Sequence, residues 1–222
     1  MTYELDILSI KTLTHNVKRF RISKPNNYIF IPGQATNVAI NKPGWRDKKR
    51  AFTITSLPDD ESLELIIKIY PEHNGVTKAL NDLRPGNQLL LEEPWGKLTY
   101  KGPGLFIAGG TGITPFLAIF RMLEQQNKLE KIKLLYANKT SKDIIQENEL
   151  SILLEERVQF ILTNEDKSEY KKAYLDLDFL RHKIQNKQQY FYVCGPAEMT
   201  KHIRQYLKTM AVEEHFIILD DQ

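Results

Sequence analysis

The feature that most restricts how this 222-residue chain can fold is a change of rhythm near residue 101. Before it, short runs rich in β-branched and aromatic residues follow one another: "YELDILSIKTL", "VKRFRIS", "ATNVAI", "AFTITS", "SLELIIKIY" and "NQLLLEE". Pro and Gly cluster between them, in "FIPGQ", "NKPG" and "LRPGN". Short strands with turns between them predict an antiparallel barrel or sandwich. One insertion, "GVTKALNDLRPG", carries Ala79, Leu80 and Leu83 at helical spacing and stops at Pro85-Gly86, so a short helix is expected there. After "KGPG", a candidate hinge, strands alternate with helices: "LFIAGG", "TPFLAIFRMLEQQ", "KIKLLYANK", "IIQENELSILLEE", "RVQFILT", "LDLDFLRHKI", "QYFYVCGP", "AEMTKHIRQYLKTM" and "EEHFIIL". That alternation predicts an α/β doubly wound parallel sheet covered on both faces. Two domains are therefore expected, residues 1–100 and 101–222, and the length suits two.

Composition removes several function classes. A net charge of +3, with acids nearly matching bases, does not fit a nucleic-acid binder. A single cysteine leaves no disulfide framework and no iron–sulfur cluster held within the chain. The five histidines form no close pair of ligand type, so no metal site is expected. No run approaches the ~20 apolar residues of a membrane span. The start "MTYELDILSI" carries Glu4 and Asp6 and has no signal-length apolar core, so a cytoplasmic protein is expected.

Four short motifs are candidates to carry chemistry. In "LFIAGGTGITP" an apolar strand runs into Gly109, Gly110 and Gly112, with Thr114 suited to the N-cap and Pro115 to the first helical position. A helix start behind a glycine loop offers free backbone N–H groups to an anion; a turn that only reverses the chain is the alternative. In "YFYVCGPAEM" a buried strand delivers Cys194 to the carboxyl edge of the sheet, where α/β folds bind ligands. A buried structural cysteine is the competing reading. In "NGVTKAL", Gly75 allows close backbone approach and Thr77 can cap a helix that either binds pyrophosphate or plugs the barrel. The strand "RAFTITS" begins with a cation, Arg50, and sends Phe52 and Thr53 to opposite faces. It is either an edge strand with a solvated arginine or the holder of a ligand with a phosphate and a flat ring. Trp45 and Trp95 read as packing, and "RDKKR" (46–50) as a solvated loop or a docking patch.

Taken in this order, these motifs resemble the ferredoxin–NADP reductase-like flavoprotein superfamily over essentially the whole chain. Arg50-Ala51-Phe52-Thr53 resembles the first flavin motif, and Ile67-Lys68-Ile69 with Gly75-Val76-Thr77 resembles the second. Gly109 to Pro115 resembles the nucleotide loop, and Cys194-Gly195-Pro196 with Met199 the nicotinamide motif. "LLYANKTSKDI" is similar to cytochrome b5 reductases. The resemblance implies a Greek-key FAD-binding barrel followed by an NAD(P)-binding α/β domain, with hydride passing from NADH or NADPH to FAD and then electrons to an acceptor. It places Arg50 at the flavin pyrophosphate, Phe52 against the flavin with Phe216 or a later tail residue shielding it, and Thr53 near flavin N5. It assigns to the nucleotide Gly110, Thr111, Gly112, Thr114, Pro115, Asn138, Asn164, Cys194, Gly195, Pro196 and Met199. Glu214-His215-Phe216 is similar to the C-terminal Glu-x-aromatic pattern, which implies Thr53, Cys194 and Glu214 as the catalytic set. The acceptor implied is an acidic redox protein, ferredoxin or flavodoxin, with Lys48 and Lys49 helping to dock it. Thr163-Asn164-Glu165-Asp166 puts carboxylates where relatives hold a 2′-phosphate, which favours NADH; Lys139, Lys172 and Tyr174 pull the other way. Release of flavin as a substrate, an electron-transfer subunit of a larger complex and a catalytically silent binding protein stay open as alternatives.

Overall fold

A computed structural model describes residues 1–220. The first half holds β1 (Thr2–Thr14), β2 (Val17–Ser23), β3 (Ala35–Ile40), β4 (Arg50–Thr53), β5 (Ser62–Lys68) and β6 (Gln88–Glu92). Their order is β4-β3-β6-β1-β2-β5, and each paired neighbour is antiparallel. The two ends of this sheet meet, because Ile54 bridges Leu65 and the Thr55 amide donates to the Glu64 carbonyl at 2.8 Å. Closure removes the open edges that a sheet of this size would otherwise present. Alternation puts Leu5 and Ile7 of β1 inside and Glu4, Asp6 and Leu8 outside. The interior is filled by Phe20, Ile22, Val38, Ile54, Leu63, Leu65, Leu89 and Leu91. Between β5 and β6 the short α1 (Val76–Leu80) sets Val76 and Leu80 into that interior.

The second half is a parallel sheet of β7 (Gly104–Gly109), β8 (Ile132–Asn138), β9 (Val158–Leu162), β10 (Lys171–Lys172), β11 (Tyr190–Cys194) and β12 (Ile217–Leu219). Its order is β10-β9-β8-β7-β11-β12. The helices α2 (Thr114–Gln125), α3 (Glu147–Leu154), α4 (Leu177–Lys183) and α5 (Ala197–Thr209) cover it. Every residue of β7 is buried, as a central strand covered on both faces requires. Phe106 meets Phe116 and Phe120 edge-on at 5.0 and 4.9 Å and stacks on Tyr192 at 4.1 Å, which seats α2 on the sheet. Each such ring pair contributes about 0.5–1.5 kcal/mol beyond its buried area. On the opposite face, Ile107, Phe191 and Val193 pack with Ile203 and Leu207 of α5.

Apolar packing and a backbone clamp are among the contacts that join the halves. Val17, Ile66 and Leu98, from the barrel half, are buried in the same cluster as Ile113, Phe116 and Ile119. The segment expected to be a hinge is pinned: the Tyr192 hydroxyl accepts from the amides of Lys101 (2.8 Å) and Gly102 (3.0 Å) and donates to the Gly102 carbonyl (2.9 Å). Among the described residues, no helix is long and apolar enough to cross a membrane.

Candidate active site

The chain leaves β7 toward β8 on one side, and β11 later returns on the other. A crevice therefore opens at the carboxyl ends of β7 and β11, where open α/β sheets bind ligands. Both strands end in glycine-containing turns that touch backbone to backbone. A Cβ on Gly112 would lie 2.2 Å from the Cys194 carbonyl oxygen, and one on Gly109 would lie 2.5 Å from Met199 Sδ. Gly110 has φ +52°, and its carbonyl accepts from the buried Tyr136 hydroxyl at 3.0 Å. That hydroxyl also accepts from the Ile145 amide at 3.2 Å, so the loop is tied to the segment before α3. The helix start differs from expectation. Gly110–Ile113 form a 3-10 turn, Thr114 is already helical, and its hydroxyl donates back to the Thr111 carbonyl at 3.0 Å instead of capping. Thr77 likewise makes no capping bond, and Gly75 takes the cap position of α1.

The crevice faces the barrel across a cleft of about 460 Å³. Ala51, Phe52, Thr53, Ile67, Lys68 and Thr77 line it from the barrel side. Gly110, Thr111, Gly112, Thr114, Cys194, Gly195 and Pro196 line it from the sheet side. Thr53 is 7% exposed and sits opposite Ala35 in the β3–β4 ladder. Cys194 is 6% exposed, and its Sγ donates to Asp220 Oδ2 at 3.3 Å. Burial first, then the charge and hydrogen bond of Asp220, push the thiol well above its ordinary pKa. A smaller adjoining cleft of about 230 Å³ runs past Gly110 and Thr111 to Asn138, Lys139, Thr163 and Met199. Asn138 is 5% exposed; its side-chain amide lies near the Tyr136 hydroxyl but makes no well-formed hydrogen bond among the described residues. A buried amide at a cleft with bonding capacity to spare can take a polar ligand. A flat wall at Phe52, a glycine cradle and this amide fit a flavin with a nicotinamide nucleotide beside it.

Not every expected residue comes to the cleft. Glu214 and Phe216 form a 3-10 turn ahead of β12, and β12 runs parallel to β11 with Phe191 opposite Ile217. They therefore sit where β11 begins, about 13 Å along the strand from Cys194. Phe216 packs edge-on against Tyr190 at 5.6 Å, and Glu214 is held by Lys208 at 2.9 Å and by Arg204. The carboxylate that reaches Cys194 is Asp220, one residue beyond β12. Ile69 and Val76 are buried in the barrel interior, away from the cleft lining. Arg50 is exposed at the start of β4, with Nη1 donating to the Lys49 carbonyl at 2.7 Å. Asn164 is exposed as well; Thr163 takes its place in the cleft wall, and the Asn164 amide donates to the Lys139 carbonyl at 2.9 Å. The sequence reading missed Tyr70, which lines the large cleft and stacks on His73 at 5.6 Å. Its signal was an aromatic two residues after Lys68, at the period of one strand face.

With this geometry established, comparison with known proteins is direct. The oxidoreductase FAD-binding domain family matches residues 4–100, and the oxidoreductase NAD-binding domain family matches residues 106–205. NADH-cytochrome b5 reductase 1 of Mycosarcoma maydis is 31% identical over 222 residues, covering 92% of this chain and 68% of that protein. NADH-cytochrome b5 reductase 2 of Mus musculus is 30% identical over 188 residues, covering 67% of this chain and 65% of the mouse protein, so the match spans under two thirds of that relative. The fold is shared with a ferredoxin NADP+ reductase from Neisseria gonorrhoeae solved with FAD and NADP, at TM-score 0.87 and 21% identity over 98% of this chain and 97% of that one. It is shared equally with the cytochrome b5 reductase domain of Ulva prolifera nitrate reductase, at TM-score 0.84 and 23% identity over 99% and 97%. The chain thus belongs to the two-domain FAD- and NAD-binding oxidoreductases, the family that includes the NADH-cytochrome b5 reductases.

Proposed function

We propose that this chain is an NAD(P)H-dependent flavoprotein reductase that prefers NADH, with residues 1–100 holding FAD and residues 101–222 the nicotinamide nucleotide. The observation that carries this reading is one cleft lined jointly by the Thr53 strand, the glycine loop and the Cys194 turn. FAD, when bound, accepts a hydride and releases electrons singly or in pairs. The cleft residues would hold the dihydronicotinamide against the flavin, and the bound pair would supply hydride transfer with the nucleotide as the reductant. Phe52 offers a face for the flat ring, and Thr53, on the other face of the same strand, brings a hydroxyl to the cleft lining. The N–H groups of the glycine loop serve the nucleotide phosphates. Cys194, a neutral thiol, packs beside the nicotinamide, and Asp220 orients it.

The preference for NADH rests on the turn at residues 164–166, which follows Thr163 at the rim of the smaller cleft. Glu165 accepts from the Ser141 amide at 2.6 Å and pairs with Lys167 at 2.9 Å; these contacts hold its carboxyl down at about 2. It is therefore charged at every working pH and opposes a 2′-phosphate. Lys172 pairs with Asp166 at 3.3 Å, as Glu165 does with Lys167, and Tyr174 is largely exposed; Lys139, in the cleft wall itself, pulls toward a phosphate. For the acceptor we propose a small acidic redox protein; the names of the relatives add cytochrome b5 to ferredoxin and flavodoxin as candidates. The test is anaerobic reduction of the purified flavoprotein by each nucleotide, followed by kcat/KM for both. NADH is expected to bleach the flavin and to give the higher value. A flavin that neither nucleotide reduces refutes the reductase reading. An NADPH preference of about tenfold, equivalent to ~1.4 kcal/mol, refutes the reading of the rim.

A further inference from the structure

Behind the cleft, one side chain crosses the domain boundary. Arg121 lies in α2 and is 19% exposed. Its Nε and Nη2 reach the two oxygens of Glu149 in α3, at 2.5 and 2.9 Å. Its Nη1 points the other way, into the barrel, and donates to the Thr55 carbonyl at 2.7 Å and to Glu64 Oε1 at 2.9 Å. Thr55 and Glu64 are joined in turn, Thr55 Oγ1 donating to Glu64 Oε1 at 2.9 Å. Arg19 lies 3.6 Å from the second oxygen of Glu64, so charges alternate through Arg19, Glu64, Arg121 and Glu149. Burial disfavours the charge on Arg121, but Glu149 and Glu64 outweigh it and hold the guanidinium protonated.

A buried ion pair is a weak source of stability, since well-packed apolar groups often serve as well. What a planar fork supplies is orientation, because its donors leave in fixed directions. The groups being oriented are those nearest the chemistry. Thr55 is two residues beyond Thr53, about 7 Å along the extended chain and on the same side. Arg121 is seven residues beyond Thr114, two helical turns or about 10 Å from the glycine loop. A single guanidinium thus ties the helix that carries the nucleotide loop to the strand that carries the flavin-facing hydroxyl.

We propose that Arg121 is a positioning residue: by clamping α2 to Thr55 and Glu64 it sets the spacing of the nicotinamide and flavin rings for hydride transfer. This rests on the reductase reading above. The tolerance is narrow, since reacting atoms must approach to roughly 3–3.5 Å and a 1 Å misplacement costs on the order of 100-fold. Arg121→Lys keeps the charge and loses the fork. Glu64→Gln weakens the contacts across the boundary, and Glu149→Gln weakens only those within the second half. Wild-type protein is first reduced anaerobically with NADH; if it fails there, the reductase reading falls and the comparison is not reached. Given reduction, Arg121→Lys and Glu64→Gln are expected to lower the limiting rate by about tenfold or more while nucleotide Kd moves by less than about threefold. The long-wavelength charge-transfer absorbance of the flavin–nucleotide pair should weaken in parallel. In protein stripped of flavin, amide exchange in residues 50–56 and 109–121 should quicken in the same two variants. Glu149→Gln, which leaves the cross-boundary bonds in place, should slow reduction less than Glu64→Gln does. The proposal is overturned if both cross-boundary variants keep the wild-type limiting rate and charge-transfer band, whatever happens to Tm, because Arg121 would then be only a brace. It is also overturned if Glu149→Gln slows reduction as much as Glu64→Gln does.

Discussion

Cys194 behaves, on this geometry, as a neutral thiol. Burial and the neighbouring Asp220 both raise its pKa, so the thiolate is scarce below pH 9. Iodoacetamide should therefore label the folded protein slowly between pH 6 and 9. Asp220→Asn removes a negative charge and should lower the thiol pKa and quicken labelling. Fast labelling of wild type, with no gain in the variant, would mean that the carboxylate does not act on the sulfur. Cys194→Ala should slow flavin reduction by about tenfold, through lost ring alignment, while the fold persists. The same residue marks where reading letters failed. Glu214-His215-Phe216 fits a three-position pattern, and a pattern that short carries no strand register. Only the pairing of Val193 with Leu219 shows that the carboxylate beside Cys194 comes from the residue after that pair.

At the scale of elements, β7, its glycine loop and α2 were legible because each obeys a strong local rule: an unbroken apolar strand, glycine at φ +52°, proline in the first helical turn. β10 was not legible. It is two lysines, Lys171–Lys172, with no apolar period, and it exists only because β9 leaves an edge to pair with. The entry to α2 was read one turn too simply, since a 3-10 turn needs no capping side chain to announce it. The loop itself makes a sharp prediction. In Gly112→Ala the new methyl meets the Cys194 carbonyl, backbone that cannot yield, and about 1–3 kcal/mol or more of stability should be lost. In Gly109→Ala the two nearest atoms belong to the flexible Met199 side chain and the third is Pro196 Cδ at 3.0 Å, so adding Met199→Ala should restore part of the Tm. Equal rescue of Gly112→Ala by Met199→Ala would show that the two glycines are not distinguished by what they touch.

For the whole molecule, the two-sheet architecture was legible from the change of rhythm, but the surface proposed to meet an acceptor was only sketched. The paired lysines ahead of β4 are not equivalent. Lys49 is held by Glu92 at 2.5 Å, while Lys48, an exposed residue, sets its ammonium over the Trp45 ring, 4.4 Å from the centroid. Lys48→Glu should thus lower kcat/KM with an acidic protein acceptor, and the deficit should shrink as salt rises toward ~0.15 M, where screening acts within about 8 Å. Reduction of a small neutral acceptor should be untouched; an equal loss there would place the defect in the cleft. The shared cluster of Val17, Ile66 and Leu98 with α2 has a thermodynamic meaning of its own. Chains with two sheets are often expected to melt in two steps. Here each half, parted from the other, would wet apolar surface that both need dry, and neither outlasts the other for long. A calorimetric scan should give one heat-capacity peak whose total enthalpy equals the van't Hoff value. Two resolved peaks would mean that the boundary seen in the strands is also a boundary in free energy.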